Sequence, residues 1–425
     1  MKVGAARAEI TPPLGHRMEG FESRTSGAIG VHDPLMVRVI AAEGDDGVGV
    51  AIVVADLIQI DPHLQGIIAA EVERRTGIVR TNLQLAGTHT HSGPMLREPS
   101  DVEAAIGLTI AETVEQAWRA RRDAVAAVGI GHVDGIGGNR RPNGGPVDDR
   151  VTVTRIDAAD GSPIATHVNY GCHPTTLGPN NTLYTADYPG VVCRTVEGEV
   201  GGIAVFSTGP QGDVNPGGYS PEGSMVGVVV PWRTFESADL YGRKIAAVAT
   251  QVRAGLAPQA SARVWADSRE IGLARKALPE PTAARAAAIA AIAASDAVRA
   301  AGLSADATYH AAVAAAYADL IAGQAEDPER DGPVRIRISA IAIGPLLHVG
   351  VGGELFVALG QEIRERLGAA RTCVAALCDG TIGYIPTKDA FEIGGYEPNA
   401  SVLQPGEGER LVASVVELAG AAPAA

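Results

Sequence analysis

Two histidines, His89 and His91, stand one residue apart in LAGTHTHSGP, at the end of an apolar run. The chain has only ten histidines, so placing two of them this close together asks for a reason. Such a pair either coordinates a metal or forms a polar, hydrogen-bonded couple. A catalytic zinc site draws three or four ligands from His, Asp, Glu and Cys and keeps one position open for water. In an extended segment, residues two apart point the same way, which lets both rings face one cavity.

Three other stretches offer the missing ligands. NYGCHPTT supplies His173, GGELF supplies Glu354 and GTIGYIPT supplies Tyr384. Each also has an ordinary reading: a structural histidine before proline, a carboxylate at a helix N-terminus worth roughly 0.3–1 kcal/mol, and a half-buried aromatic. The recurrence carries more weight than any single case. A polar residue closes an apolar strand beside Gly or Pro each time, and active sites of open α/β sheets gather at such strand ends. Asp56 and Asp187 sit in similar turns, where they either orient a ligand histidine or shape the loop. Cys172, beside His173, reads as a small buried thiol.

The elements that must position these residues follow from hydrophobic pattern. VGVAIVVADLIQI reads as a buried strand, His63 to Thr76 as a helix, and TNLQLAGTHTH as a strand delivering the histidine pair. Ser100 to Arg119 has helical spacing. VTVTRIDAADGSPIATHVNYGCHP reads as two strands joined at Asp160-Gly161, and GIAVFSTGPQGDVNPGG as a strand emptying into a Gly/Pro-rich loop. VRIRISAIAI alternates with period two, and LFVALGQEIRERL continues as an amphipathic helix. From about 281 to 325 the chain is dominated by alanine and divides near Gly302, which predicts a helical hairpin. The alternation of strands and helices predicts an α/β architecture. With no repeat or linker in view, residues 1–425 are expected to form one domain.

Composition narrows the function further. A formal charge of -14 leaves no basic patch for phosphates, so no nucleic-acid partner is expected. No stretch of roughly 20 apolar residues would cross a bilayer. No secretory leader opens the sequence, and four cysteines without a C-x-x-C pair suit a reducing compartment. A cytoplasmic protein is the expectation.

The same motifs resemble a known family. LAGTHTHSGP, NYGCHPTTLGPNNTLYTADYPG, STGPQGDVNPG, GGELFVALG and GYIPTKDAFEIGGYEP occur in the order seen in neutral ceramidases, and GAARAEITPP and GAIGVHDPLMVRVI match that family's N-terminus. The resemblance runs from about Val3 to Glu397. It implies a mixed-sheet α/β sandwich of the neutral ceramidase catalytic type, into which the Ala-rich hairpin is inserted. It also implies an amidase that uses one zinc ion per chain. Carried over by position, the ligands are His89, His173, Glu354 and Tyr384, and His91 handles protons beside the metal. NRRP assigns Arg140 to the substrate-facing arginine, and GGYEP assigns Tyr396 as donor to the oxyanion.

Two departures shape the expectation. The family's Gly-Asp-Val-Ser-Pro loop reads Gly-Asp-Val-Asn-Pro, so Asn215 replaces a serine and is expected either to contact substrate or to structure the loop. The chain also stops without the family's immunoglobulin-like C-terminal domain. Hydrolysis of a small-molecule amide by metal-activated water is the favoured reading, on a substrate other than long-chain ceramide. An esterase or lactonase, or an inactive ligand-binding protein on this scaffold, are the alternatives.

Overall fold

In the computed structural model, which describes residues 1–424, the strands assemble into two main sheets packed face to face, with helices on both outer surfaces. The larger sheet runs, edge to edge, Ile203–Thr208, Pro163–Tyr170, Arg150–Ala158, Arg122–His132, Lys2–Glu9, Met36–Glu43, Gly49–Ala55 and Leu83–Gly87. Its two outermost pairs are parallel and its interior pairs antiparallel. The smaller sheet runs Val264–Leu273, Val334–Ile343, Leu346–Val351 and Thr372–Ala375, and its last pair is parallel.

Strand periodicity divides each apolar run between two interfaces. Val37, Val39 and Ala41 face helices Pro62–Thr76 and Asp101–Arg119, whereas Ile40 and Ala42 face the second sheet. Ile338, Ala340 and Ala342 likewise face helices Val357–Leu367 and Glu407–Gly420, while Ile341 and Ile343 turn inward. Burial on both faces explains why these segments read as nearly continuous hydrophobic runs. The alternation expected along VRIRISAIAI therefore holds only at its start, where Arg335 is exposed and Arg337 half-buried. The mixed α/β sandwich expected from sequence is the observed fold.

Every crossover between parallel neighbours leaves a strand by its carboxyl end. The segments after Leu83–Gly87, Pro163–Tyr170, Ile203–Thr208, Leu346–Val351 and Thr372–Ala375 meet one another: Thr208 Oγ1 donates to Thr88 O, Gly209 N to Tyr170 O, Ala376 N to Thr208 O and Cys378 N to Val351 O. The Ala-rich stretch forms the expected hairpin, Pro281–Ala300 and Ala305–Ala325, with Ser304 capping the second helix by accepting from Ala307 N. Its small core is Ala284, Ala288, Ala322 and Ala325. Among the described residues no helix is long and apolar enough to cross a membrane.

Candidate metal centre

His89 follows Leu83–Gly87 by two residues, but not in extended backbone: its φ is 69°, a left-handed conformation uncommon for a side-chain-bearing residue. The backbone is pinned there by His89 N donating to Leu57 O at 2.9 Å and by the ring's Nδ1 to Ile58 O at 2.9 Å. The two rings of THTH do share a cavity, as expected, but a loop brings them together rather than strand alternation. His91 Nδ1 donates to Gly20 O at 2.9 Å. Gly20 has φ +108°, and a Cβ on it would lie 2.6 Å from the His91 ring. Only glycine allows that carbonyl to approach so closely.

His173, fully buried, follows Pro163–Tyr170, and its Nδ1 faces Gln211 O at 2.7 Å and Val214 O at 3.0 Å. Glu354 and Tyr384 are cross-strand partners in a short parallel pair, Glu354–Leu355 against Tyr384–Ile385. That pairing brings together residues thirty positions apart. Glu354 therefore does not act as a charge on the helix beginning at Val357. Its Oε2 lies 2.9 Å from His173 Nε2 and 3.4 Å from His89 Nε2.

A carbonyl oxygen can only accept, so each of these three histidines carries its proton on Nδ1. In the neutral ring Nε2 then presents a lone pair. His89 Nε2 and His91 Nε2 are 3.3 Å apart, and ligand atoms of all three rings lie within 4.8 Å of one another. Burial, reinforced by the neighbouring imidazoles, holds His91 well below its ordinary pKa. Burial and the Arg140 charge bring His173 down to about 4. Burial pushes the Glu354 carboxyl up, but His89 and His173 beside it outweigh this and hold it well below the carboxylate range. In their neutral forms the three imidazoles would turn converging lone pairs towards an ionised carboxylate, an arrangement that a cation between them relieves. Histidines whose second nitrogen donates to backbone carbonyls are the usual metal-holding arrangement. The residues fit a divalent metal.

Arg140 and Tyr396 complete the surroundings. Arg140 Nη2 donates to Tyr384 OH at 3.2 Å and to Gly212 O at 2.9 Å. Its Nε and Arg141 Nη1 each donate to Glu397, both at 2.8 Å. Burial and the nearby Glu354 charge push Tyr384 well above the ordinary phenol value and Tyr396 up to about 12. The two phenol rings meet edge to face at 5.4 Å. His89, His91, Arg140, Glu354, Tyr384 and Tyr396 all line one cavity of about 260 Å³, with His173 beneath it.

Asn215 is buried outside that lining; its Nδ2 donates to Tyr219 O at 2.9 Å, and Tyr219 itself lines the cavity. Asp187 accepts from Thr176 N at 3.0 Å and so braces the loop after His173. Asp56 pairs with Arg38 at 3.1 Å instead of meeting a histidine. Cys172 is a buried free thiol. Sequence reasoning missed Gly20 and Glu397, which act on His91 and Arg140 across 71 and 257 positions.

No protein-family model and no curated protein matches the sequence. Solved structures do match. The neutral ceramidase from Pseudomonas aeruginosa superposes with a TM-score of 0.75 at 19% identity, covering 98% of this chain and 74% of that one. A ceramidase complexed with C2 gives a TM-score of 0.74 at 18% identity over the same shares of the two chains. The chain has the neutral ceramidase fold.

Proposed function

We propose that the protein is a zinc-dependent hydrolase that cleaves the amide bond of a small or medium N-acyl substrate, with one zinc per chain. The observation that carries this reading is the convergence of three imidazole Nε2 atoms whose Nδ1 hydrogens are all committed to backbone carbonyls. The shared fold supports the reaction class by analogy. His89, His173, Glu354 and Tyr384 would hold the ion. When bound, zinc supplies Lewis acidity and lowers the pKa of water to about 7.

The remaining work belongs to side chains around it. His91 Nε2 takes a proton from the attacking water and returns it to the departing amine, its ring held by Gly20 O. Tyr396, with a pKa of about 12, keeps its proton at neutral pH and donates it as a hydrogen bond to the acyl oxygen as charge develops there. Arg140 faces the substrate and fixes the Tyr384 hydroxyl. Asn215 contributes through the loop that presents Tyr219.

The wall of the cavity also contains Glu22, Gln59, Arg97 and Ser224. A volume of about 260 Å³ with these polar groups suits a short or polar arm better than a long alkyl chain. Four free, buried cysteines are consistent with a cytoplasmic setting. One observation favours a variant of the ligand set: at 3.3 Å from His89 Nε2, His91 Nε2 is placed to be a third imidazole ligand.

The test combines metal content with kinetics on N-acyl amides of graded chain length. His91→Ala retains metal and turns over at least 100-fold more slowly if the ring moves protons; loss of metal from this variant makes it a ligand. Cleavage of esters or lactones but no amide would transfer the activity to the ester class. Undiminished hydrolysis by both His89→Ala and His173→Ala refutes the zinc reading.

A further inference from the structure

The Ala-rich hairpin does more than decorate the sandwich. Its second helix, Ala305–Ala325, carries few large side chains, and three of them, Tyr309, Val313 and Tyr317, recur every four residues. That spacing places them on one helix face. The face closes a second chamber of about 370 Å³, whose other walls include Glu222 and Glu397. Arg140, Pro221 and Tyr396 line both this chamber and the cavity of the metal centre, so the two share walls.

The hairpin is fastened to the walls it completes. Tyr317 OH donates to Glu222 Oε1 at 2.8 Å, and Gln324 Nε2 donates at 2.8 Å to the carbonyl of Ala400, the last residue of the helix that begins at Tyr396. The chamber's chemistry is specific. Tyr309, Tyr317 and Tyr396 are three of the chain's nine tyrosines, gathered around one space in a protein with 4% aromatic residues. They do not serve the hairpin's own core, which is alanine. Aromatic faces favour ring-shaped partners over flexible chains. Glu397 is committed to Arg140 and Arg141, whereas Glu222 meets only the hydroxyls of Tyr317 and Ser220. Its carboxylate keeps lone pairs for further donors.

We infer that this chamber receives one arm of the substrate, and that the arm is a ring bearing a hydroxyl or amino donor rather than an alkyl chain. The inference rests on the amide-hydrolase reading of the adjoining cavity for what joins the arm to the scissile bond. Tyr309, Val313 and Tyr317 are then specificity residues, and the hairpin is a substrate-binding element.

The test is Val313→Trp, which fills the chamber from the hairpin side at a half-buried position away from the metal centre. Two measurements are made on zinc-loaded wild type and variant. Calorimetry measures binding of tyramine, glucosamine and hexylamine, and kinetics measure kcat/KM for N-acetyltyramine, N-acetylglucosamine and N-methylacetamide. In the wild type at least one ring amine binds tenfold or more tightly than hexylamine. The variant loses that binding and lowers kcat/KM for the matching ring amide at least tenfold more than for N-methylacetamide, with metal content unchanged. Tyr317→Phe, which removes the bond to Glu222, shifts the same ratio in the same direction.

No preference for a ring amine in the wild type overturns the inference, as does an equal effect of Val313→Trp on all ligands. Ring binding abolished by the variant without any amide turnover in the wild type sinks the hydrolase reading and leaves the chamber. Hydrolysis indifferent to Val313→Trp does the reverse.

Discussion

Replacing Glu397 by glutamine perturbs the group that seats Arg140 without altering any proposed metal ligand. Glu397 is 1% exposed, and its two oxygens accept from Arg140 Nε and Arg141 Nη1, both at 2.8 Å. Two buried guanidinium cations thus share one carboxylate charge. Glutamine keeps one acceptor oxygen and turns an amide donor towards the other arginine. One charge-assisted bond is lost, worth about 1.5–3 kcal/mol. A buried positive charge is also left uncompensated, and removing one partner of a buried pair costs roughly 3–5 kcal/mol. The remaining acceptors reduce this: Arg140 keeps Gly212 O and Tyr384 OH, and Arg141 keeps Ala390 O and Gly394 O. The expected loss is therefore about 3 kcal/mol, at the lower end of that range. Denaturant unfolding of Glu397→Gln against wild type measures it, with the exposed Glu199→Gln as a control expected within about 0.5 kcal/mol. The same substitution frees Arg140 to move and lowers kcat by roughly tenfold or more, because a misplaced group near the chemistry is costly. A stability change under about 1 kcal/mol would refute the reasoning, since the two guanidinium groups would then not depend on that charge.

Two further perturbations probe the site and the core. Gly20→Ala forces a Cβ to within 2.6 Å of the His91 ring at φ +108°, which is expected to cost about 1–3 kcal/mol and to slow turnover while zinc content persists; kinetics and metal analysis of one preparation check both. Between the two sheets, burial brings His167 down to about 4, and burial with the neighbouring His167 holds His348 well below 6.5. Unfolded histidine binds its proton near pH 6.5 and folded His167 does not. Its contribution is therefore complete above pH 6.5 and is lost as pH falls towards 4, about 3 kcal/mol in all. His167→Gln should flatten that acid slope in unfolding experiments, and parallel slopes in the two proteins would contradict the assignment.

What could be read from sequence was whatever depends on local pattern. The hairpin limits at 281 and 325, the helix expected over Ser100 to Arg119 and the strand ends bearing His89 and His173 follow from periodicity and composition. The candidate metal cluster was legible as residue types, and its two-apart histidines do converge. Their geometry was not legible, because the left-handed backbone at His89 is imposed by contacts with Leu57 and Ile58. The sandwich itself came from the family resemblance and not from residue pattern: runs such as AIVVA are apolar on both sides and do not say which partner covers which face. Gly20 and Glu397 act through the fold and leave no local trace. The Tyr309-Val313-Tyr317 stripe was legible as a spacing, but alanine's uniformity made the hairpin read as purely structural.

The central claim is that His89, His173 and Glu354 hold one metal ion per chain. Its most direct test is metal content by mass spectrometry on tag-free protein purified without chelator, before and after zinc is added back, for wild type and His173→Ala. The account predicts about one zinc per wild-type chain and its loss in the variant. A folded wild-type protein that stays metal-free after add-back, or a variant that holds zinc as well as wild type, would contradict it.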